Sequence, residues 1–144
     1  MKKVDAFWDA SAIVPLCVGQ PQSGFAKRAL RNKSIAVWWG TPVETTSAFA
    51  RLARAGELDQ RQFHMAMTRL VALRGMWIEV QPSEELRELA EDLIQRHPLR
   101  AADALQLAAA VIWSRRHPRK RAFVCLDGAL AGAAFQQGFS VESV

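Results

Sequence analysis

The sequence predicts an α/β fold in which helices cover both faces of a parallel sheet. Short apolar segments, typical of strands, alternate with longer segments of helical periodicity. The apolar segments are hydrophobic at nearly every position, as strands are when both faces of a parallel sheet are covered. The 144 residues suffice for a substantial core, and no repeat or linker divides them, so we expect one domain over 1–144.

Five apolar segments are the predicted strands, each bounded by polar or turn-forming residues. In chain order they cover residues 4–8, 35–39, 77–80, 122–126 and 139–141. If the first strand is central, with the second and fourth beside it, strand order reverses there. Ligands of open parallel sheets bind at such a point, beyond the carboxyl ends of the strands.

Helix start and stop signals connect the strands in the first half of the chain. A short helical stretch opens after Asp9, and Ser23 is a candidate cap for the next helix. Three signals agree at Thr41: a hydroxyl cap, a proline at the first helical position and a glutamate at the third. Gly56 is expected to end this helix.

The second half contains further helices. Asp59 and Gln62 form a predicted capping box, and Ser83 is the predicted cap of the following helix. The segment 101–113 is rich in Ala and Leu and apolar nearly all round, which indicates a buried helix. A short helix is predicted from Gly128. The apolar stripe of the capping-box helix comprises Phe63, Ala66, Met67, Leu70 and Val71.

Charge and cysteine content limit the class of protein. The net charge of +5 favours an anionic partner, of which nucleic acid is the commonest. Cys17 and Cys125 form no C-x-x-C pair and are interpreted as reduced core thiols. No bilayer-spanning segment or secretion signal is recognised, so we expect a cytoplasmic protein without membrane association.

Two basic clusters are candidate phosphate-binding surfaces, although solvated helix ends are the simpler interpretation. The denser one comprises Arg115, Arg116, Arg119, Lys120 and Arg121. The other comprises Lys27, Arg28, Arg31 and Lys33.

Asp103 is the most informative acid because it lies in the predicted buried helix. Gln106, three residues later, is the only other polar residue between 101 and 113. Aspartate is rarely fully buried unless it is paired or binds a metal. Asp103 therefore needs a cation, a donor or an opening to solvent.

Three further acids occur at the predicted carboxyl edge of the sheet. Asp9 and Asp127 follow the first and fourth strands, and Glu44 opens the helix after the second. In the strand arrangement described above they meet in one crevice, and Asp103 joins them if its helix starts there. Structural alternatives exist: Asp9 and Asp127 as helix caps, and Glu44 as the last residue of a capping box.

Clustered carboxylates favour a cation. Two like charges ~4 Å apart repel by about 1 kcal/mol in water and ~4 kcal/mol in a partly buried site. They must protonate, separate or bind a cation. An all-oxygen site suits Mg²⁺ or Mn²⁺. His64, His97 and His117 show no ligand spacing, and we expect them to face solvent.

The segments 9–12, 44–52, 100–108 and 123–127, followed by 139–141, together resemble a known family. They are similar to PIN-domain ribonucleases, and most of all to the VapC-like toxins of toxin–antitoxin pairs. The resemblance covers nearly the whole chain. Its most diagnostic part is Arg-Ala-Ala-Asp-Ala-Leu-Gln-Leu-Ala around Asp103.

The resemblance implies a three-layer α/β/α sandwich with a central parallel sheet. It implies that Asp9, Glu44, Asp103 and Asp127 form a Mg²⁺ site, with Mn²⁺ as a substitute, and that Ser11 lines it. The implied activity is endoribonucleolytic hydrolysis of RNA that leaves 5′-phosphate and 3′-hydroxyl ends. A homodimer and inhibition by a cognate antitoxin are implied as well.

The sequence departs from the family pattern at two positions, and two other functions remain as alternatives. Cys125 replaces a frequent hydroxyl residue, and Gly128 a frequent basic or bulky polar one. One alternative is an α/β phosphotransfer or phosphatase domain that uses Asp9, although such phosphatases carry a second Asp where Ser11 stands. The other is a catalytically inactive RNA-binding or interaction module, which would not need all four acids.

Overall fold

A five-stranded parallel sheet is the centre of the computed structural model, which describes residues 2–115 and 121–143. The strands are β1 (Ala6–Trp8), β2 (Ala36–Trp38), β3 (Ile78–Val80), β4 (Ala122–Val124) and β5 (Ser140–Glu142). Their order, β3-β2-β1-β4-β5, places β1 between β2 and β4, which is the arrangement that brings the acids after these strands to one crevice. The ladders β1–β2, β1–β4, β2–β3 and β4–β5 are all parallel.

The helices form the two outer layers. They are α1 (Ala10–Cys17), α2 (Ser23–Asn32), α3 (Thr41–Arg54), α4 (Gln60–Arg74), α5 (Glu84–Arg96), α6 (Ala101–Ser114) and α7 (Gly128–Gln136). Helices α1 to α4 pack on one face of the sheet, and α5 to α7 pack on the other. The predicted three-layer α/β/α sandwich is therefore confirmed. None of the helices in the described ranges combines the length and apolarity needed to span a bilayer.

Alternating side chains of the central strand supply both cores. Ala6 and Trp8 point into the layer of α1 to α4, whereas Phe7 points into the layer of α5 to α7. Phe7 stacks on Phe123 with ring centroids 5.7 Å apart, and its centroid is 6.0 Å from that of Trp113. Both faces are apolar, which explains the continuous hydrophobic strands.

Helix α6 is buried along most of its length but starts at the surface. Ala104, Leu107 and Ala108 are fully buried, as predicted, whereas Ala101 and Ala102 are exposed. Asp103 stands between these two environments. Its helix therefore starts at the edge of the core, which gives the acid the opening to solvent that it requires.

Three local predictions differ from the structure. Ser23 is the first residue of α2 rather than its cap, and its hydroxyl donates to the Val18 carbonyl at 3.0 Å. Val71 is 65% exposed although it was predicted on the apolar stripe of α4. His97 is buried, 3.0 Å from Gln137, rather than facing solvent.

Three residues of the two basic clusters form ion pairs within the fold, whereas Lys27, Arg28 and Arg31 are exposed. Lys33 is buried and bonded to Glu142 at 2.8 Å, so it cannot serve an anionic partner. Arg115 pairs with Glu85. Arg121 pairs with Asp5 at 2.9 Å and lies 5.0 Å from the ring centroid of Trp113. Residues 116–120 of the denser cluster lie outside the described residues.

The pair Leu70 and Val71 tests which face of α4 is buried. Leu70 is 2% exposed and Val71 65%. We expect Leu70→Ala to lower the free energy of unfolding by ~2–5 kcal/mol, because it leaves a cavity. Val71→Ala should change it by less than ~0.5 kcal/mol. Urea denaturation measures both, and equal losses would contradict the assignment.

Candidate metal centre

All five residues predicted for the site line one open cleft of about 460 Å³ at the carboxyl edge of the sheet. They are Asp9, Ser11, Glu44, Asp103 and Asp127. Each acid is also at the start of a helix, either as the N-cap or in the first turn. Four helix N-termini, whose dipoles favour negative charge, therefore converge on the cleft.

Asp9 is the most buried of the acids. It follows β1, is 5% exposed, and caps α1 by accepting a hydrogen bond from the Ser11 amide at 3.1 Å. Burial raises the pKa of Asp9 to about 6, against the hydrogen bonds from Ser11. The charge of Asp103 contributes to this rise. The cap alternative is thus correct for Asp9, and the same carboxylate lines the cleft.

Ser11 and Cys125 connect α1 to the end of β4. The Ser11 hydroxyl accepts a hydrogen bond from the Leu126 amide at 2.9 Å. The Cys125 sulfur accepts one from the Asp127 amide at 3.2 Å and lies 3.9 Å from Oδ2 of Asp9. Burial raises the pKa of the Cys125 thiol to about 12, so it is a neutral group beside the acids.

Asp127 combines the two roles that the sequence left open. Its Oδ1 accepts a hydrogen bond from the Leu130 amide at 2.9 Å, which caps α7, and its side chain lines the cleft. Gly128, the first residue of α7, is exposed and adds no side chain there.

Glu44 does not belong to a capping box, so that alternative is wrong. The N-cap of α3 is Gly40, and no side chain caps the helix. Instead, Nε2 of the fully buried Gln106 donates to Oγ1 of Thr41 at 3.1 Å and to Oε1 of Glu44 at 3.3 Å. Burial raises the pKa of Glu44 to about 7, with Asp9 and Asp103 adding to the rise and Gln106 opposing it.

The first turn of α3 is also fixed by a close approach to the sheet. A Cβ atom on Gly40 would lie 2.5 Å from Nε1 of Trp38, the last residue of β2. Because that contact is with a buried indole, only glycine fits. The turn that carries Glu44 is thereby held against the end of β2.

Asp103 lies in the first turn of α6 and is half-buried. Burial and the charge of Asp127 raise its pKa, whereas a backbone hydrogen bond from Arg100 and the charge of that residue lower it. The acids therefore interact with one another electrostatically across the cleft.

The chemistry of the cleft fits a hard divalent cation, although the carboxylates do not stand in a ready-formed ligand set. Within residues 2–115 and 121–143, no three acidic, histidine or cysteine side chains are grouped as a metal site. Asp9, Glu44 and Asp127 instead turn an oxygen toward a local donor. Burial, with repulsion from neighbouring acids, raises the pKa of Asp9 and Glu44 despite these donors, and it raises the pKa of Asp103 as well. Oxygen ligands with excess negative charge are what Mg²⁺ requires.

Sequence reasoning missed three residues of the site. Gln106 was singled out only for its spacing to Asp103, yet it binds Glu44. Ser47 and Arg51 also line the cleft, and Nη1 of Arg51 donates to Oγ of Ser47 at 3.2 Å. The available signal was helical spacing, since 43, 47 and 51 lie four residues apart on one face of α3.

Solved structures share this architecture over most of their length. VapC20 of Mycobacterium tuberculosis, a toxin that cleaves the sarcin–ricin loop, is 21% identical over 89% of this chain and 94% of its own, with a TM-score of 0.65. VapBC2 of Rickettsia felis, solved with a promoter DNA fragment, is 11% identical, and the match covers 97% of this chain and 98% of its own, with a TM-score of 0.66. FitAcB of Neisseria gonorrhoeae is 15% identical over 94% and 95%, with a TM-score of 0.57.

No protein-family model matches the sequence, and no curated protein does. The structural likenesses, all at low identity, cover each chain almost completely. The chain therefore has the fold of the VapC-type PIN domains, as its resemblance to that family implied.

Proposed function

We propose that this protein is a Mg²⁺-dependent endoribonuclease, the toxin of a type II toxin–antitoxin pair. The observation that carries the proposal is the single cleft lined by four carboxylates from separate segments of the chain. Its fold is that of VapC20, which cleaves an RNA loop.

Asp9, Asp103 and Asp127 are the proposed ligands of Mg²⁺ or Mn²⁺, with Glu44 binding directly or through water. When bound, the ion lowers the pKa of a water molecule and offsets charge that gathers on the scissile phosphate. The carboxylates hold it in their ionised form, and the helix N-termini behind them favour that form.

Ser11 is proposed to orient the substrate rather than attack it. Its oxygen accepts a hydrogen bond from the Leu126 amide, and its hydroxyl faces the Asp9 carboxylate and the Cys125 sulfur, which is 3.9 Å away. Of the described residues that line the cleft, none is a histidine that could act as its base. The hydroxyl can therefore donate to a phosphate oxygen.

Partners and location are part of the same proposal. The neighbours include a toxin–antitoxin complex from Klebsiella pneumoniae and VapBC2, which supports a cognate antitoxin as a partner here. By the resemblance, we further propose a cytoplasmic homodimer in which residues 1–144 form one domain.

Metal titration tests the centre. A cation that binds only the folded chain at 100 times its Kd adds about 2.7 kcal/mol of stability. We expect Mg²⁺ to raise the Tm of the wild-type protein by several degrees and that of Asp103→Asn only slightly. We also expect the variant to lose RNA cleavage. Differential scanning fluorimetry and a cleavage assay measure both.

Cleavage that resists EDTA would contradict the proposal. A stable phosphate on Asp9 after treatment with an acyl phosphate would favour the phosphotransfer alternative.

The raised pKa values predict how pH changes the metal-free protein. Asp9 and Glu44 have pKa values of about 6 and about 7, against ~4 in the unfolded chain. Folding therefore favours their protonated forms, and the stability they contribute below pH ~4 is lost as pH rises to ~7. We therefore expect the Tm measured in EDTA to fall as pH rises from ~4 to ~7. We also expect Mg²⁺ to raise the Tm more at pH ~7.5 than at pH ~5.

Glu44→Gln is the matched variant for the pH experiment because it keeps the size of the side chain. The substitution should make the Tm in EDTA depend less on pH near pH ~7. It should also make the Mg²⁺-induced rise in Tm more similar at the two pH values. A curve identical to that of wild type would show that Glu44 does not titrate in this window.

Gln106 should set metal affinity through Glu44. Gln106→Leu removes the donor that orients the carboxylate, and loss of such an outer partner weakens metal binding by about 10–100-fold. Thr41→Val is the matched control, because it removes the other acceptor of the same amide and leaves Glu44 bound. Calorimetric Mg²⁺ titration compares the two, and equal affinities would contradict a positioning role.

A further inference from the structure

A second depression adjoins the acidic cleft along α3. It has a volume of about 450 Å³, and Val43 and Ser47 line both it and the cleft. Beyond these two residues, its walls include Ala50, Arg54 and Arg74. The surface thus continues from the acids along α3 to its last residue, Arg54, and to the end of α4.

Three arginines give this surface a positive charge, and we call Arg51, Arg54 and Arg74 the arginine track. All three side chains are exposed. Within the described residues, none of them forms an ion pair, in contrast to Lys33 and Arg121. Their charge is therefore available to an anionic partner.

The cleft and the depression together extend along α3 over the length of a short nucleic-acid segment. Residues 43 and 54 are eleven positions apart on α3, which corresponds to ~16 Å along the helix axis. A nucleic-acid strand advances ~3.4 Å per stacked nucleotide, so this length matches about five nucleotides. The track begins at the cleft, which Arg51 lines together with Val43 and Glu44.

We propose that the arginine track binds the phosphates of a single RNA strand on one side of the scissile bond, an inference that rests on the proposed endoribonuclease function. Four carboxylates repel a phosphate chain, so a strand needs positive charge immediately beside the cleft. The size of the depression suits one nucleotide-sized group rather than a duplex. Val43, which is 70% exposed, offers an apolar contact for a base or ribose.

The binding surface thus differs from the clusters that the sequence indicated. The described residues that line the cleft and the depression include none of the basic residues of α2 and neither Arg115 nor Arg121. Charge density along the chain does not indicate the track, because its members are spread over two helices.

The test is the salt dependence of RNA binding. Arg51→Gln, Arg54→Gln and Arg74→Gln are combined in an Asp103→Asn background, which prevents cleavage. Anisotropy of a labelled oligouridine is followed between ~50 and ~200 mM salt. For a single strand, each phosphate contact contributes ~0.7 to the steepness of log binding constant against log salt concentration. Because the variant loses three arginines, we expect this slope to become shallower by about 2.

The matched control combines Lys27→Gln, Arg28→Gln and Arg31→Gln on α2, which removes the same charge from another exposed surface. We expect its slope to stay within ~0.7 of the parent, less than one phosphate contact. An unchanged slope in the variant of the arginine track, or flattening in the α2 variant alone, would overturn the inference. Binding of oligoglutamate instead of oligouridine through the same arginines would assign the track to an acidic protein and overturn it too.

Cleavage by the otherwise wild-type chain separates this inference from the function on which it rests. If RNA cleavage needs Mg²⁺ but the salt slope of the arginine-track variant is unchanged, RNA binding by the track is overturned and the endoribonuclease proposal stands. A wild-type chain that neither binds nor cleaves RNA overturns both.

Discussion

Burial of the carboxylates, to which their mutual repulsion adds, is the constraint on which the arrangement of the site depends. Asp9 and Asp127 cap helices, and Glu44 and Asp103 lie in first turns, so each negative charge has the positive end of a helix dipole behind it. A dipole of this kind contributes ~0.3–1 kcal/mol at exposed sites and up to ~2 kcal/mol in partly buried ones. That is less than the cost of gathering several charges at the edge of an apolar core, which the raised pKa values of Asp9 and Glu44 record.

The sequence was sufficient where structure is determined locally. The capping box of Asp59 and Gln62 and the cap at Ser83 form as predicted, because their partners lie three residues away. Continuous apolar strands indicated a parallel sheet covered on both faces, and the acids after them indicated the edge where they meet.

Distant contacts account for the errors. Thr41 has the sequence of a cap, yet its hydroxyl binds Gln106, 65 positions away. Lys33 looks like a solvent-facing charge until Glu142 is placed beside it. For Asp9 and Asp127, cap and cleft residue were treated as alternatives, whereas a carboxylate with two oxygens serves as both.

The contact between Gly40 and Trp38 limits how this protein can be engineered. Glycine at a helix N-cap is ordinarily replaced by Asp, Ser or Asn when greater thermal tolerance is sought. Here the indole occupies the space of the new side chain, so that replacement displaces either a core aromatic or the turn that carries Glu44. Stabilising the N-terminus of α3 by mutation therefore requires a smaller side chain at position 38 before glycine is replaced at position 40.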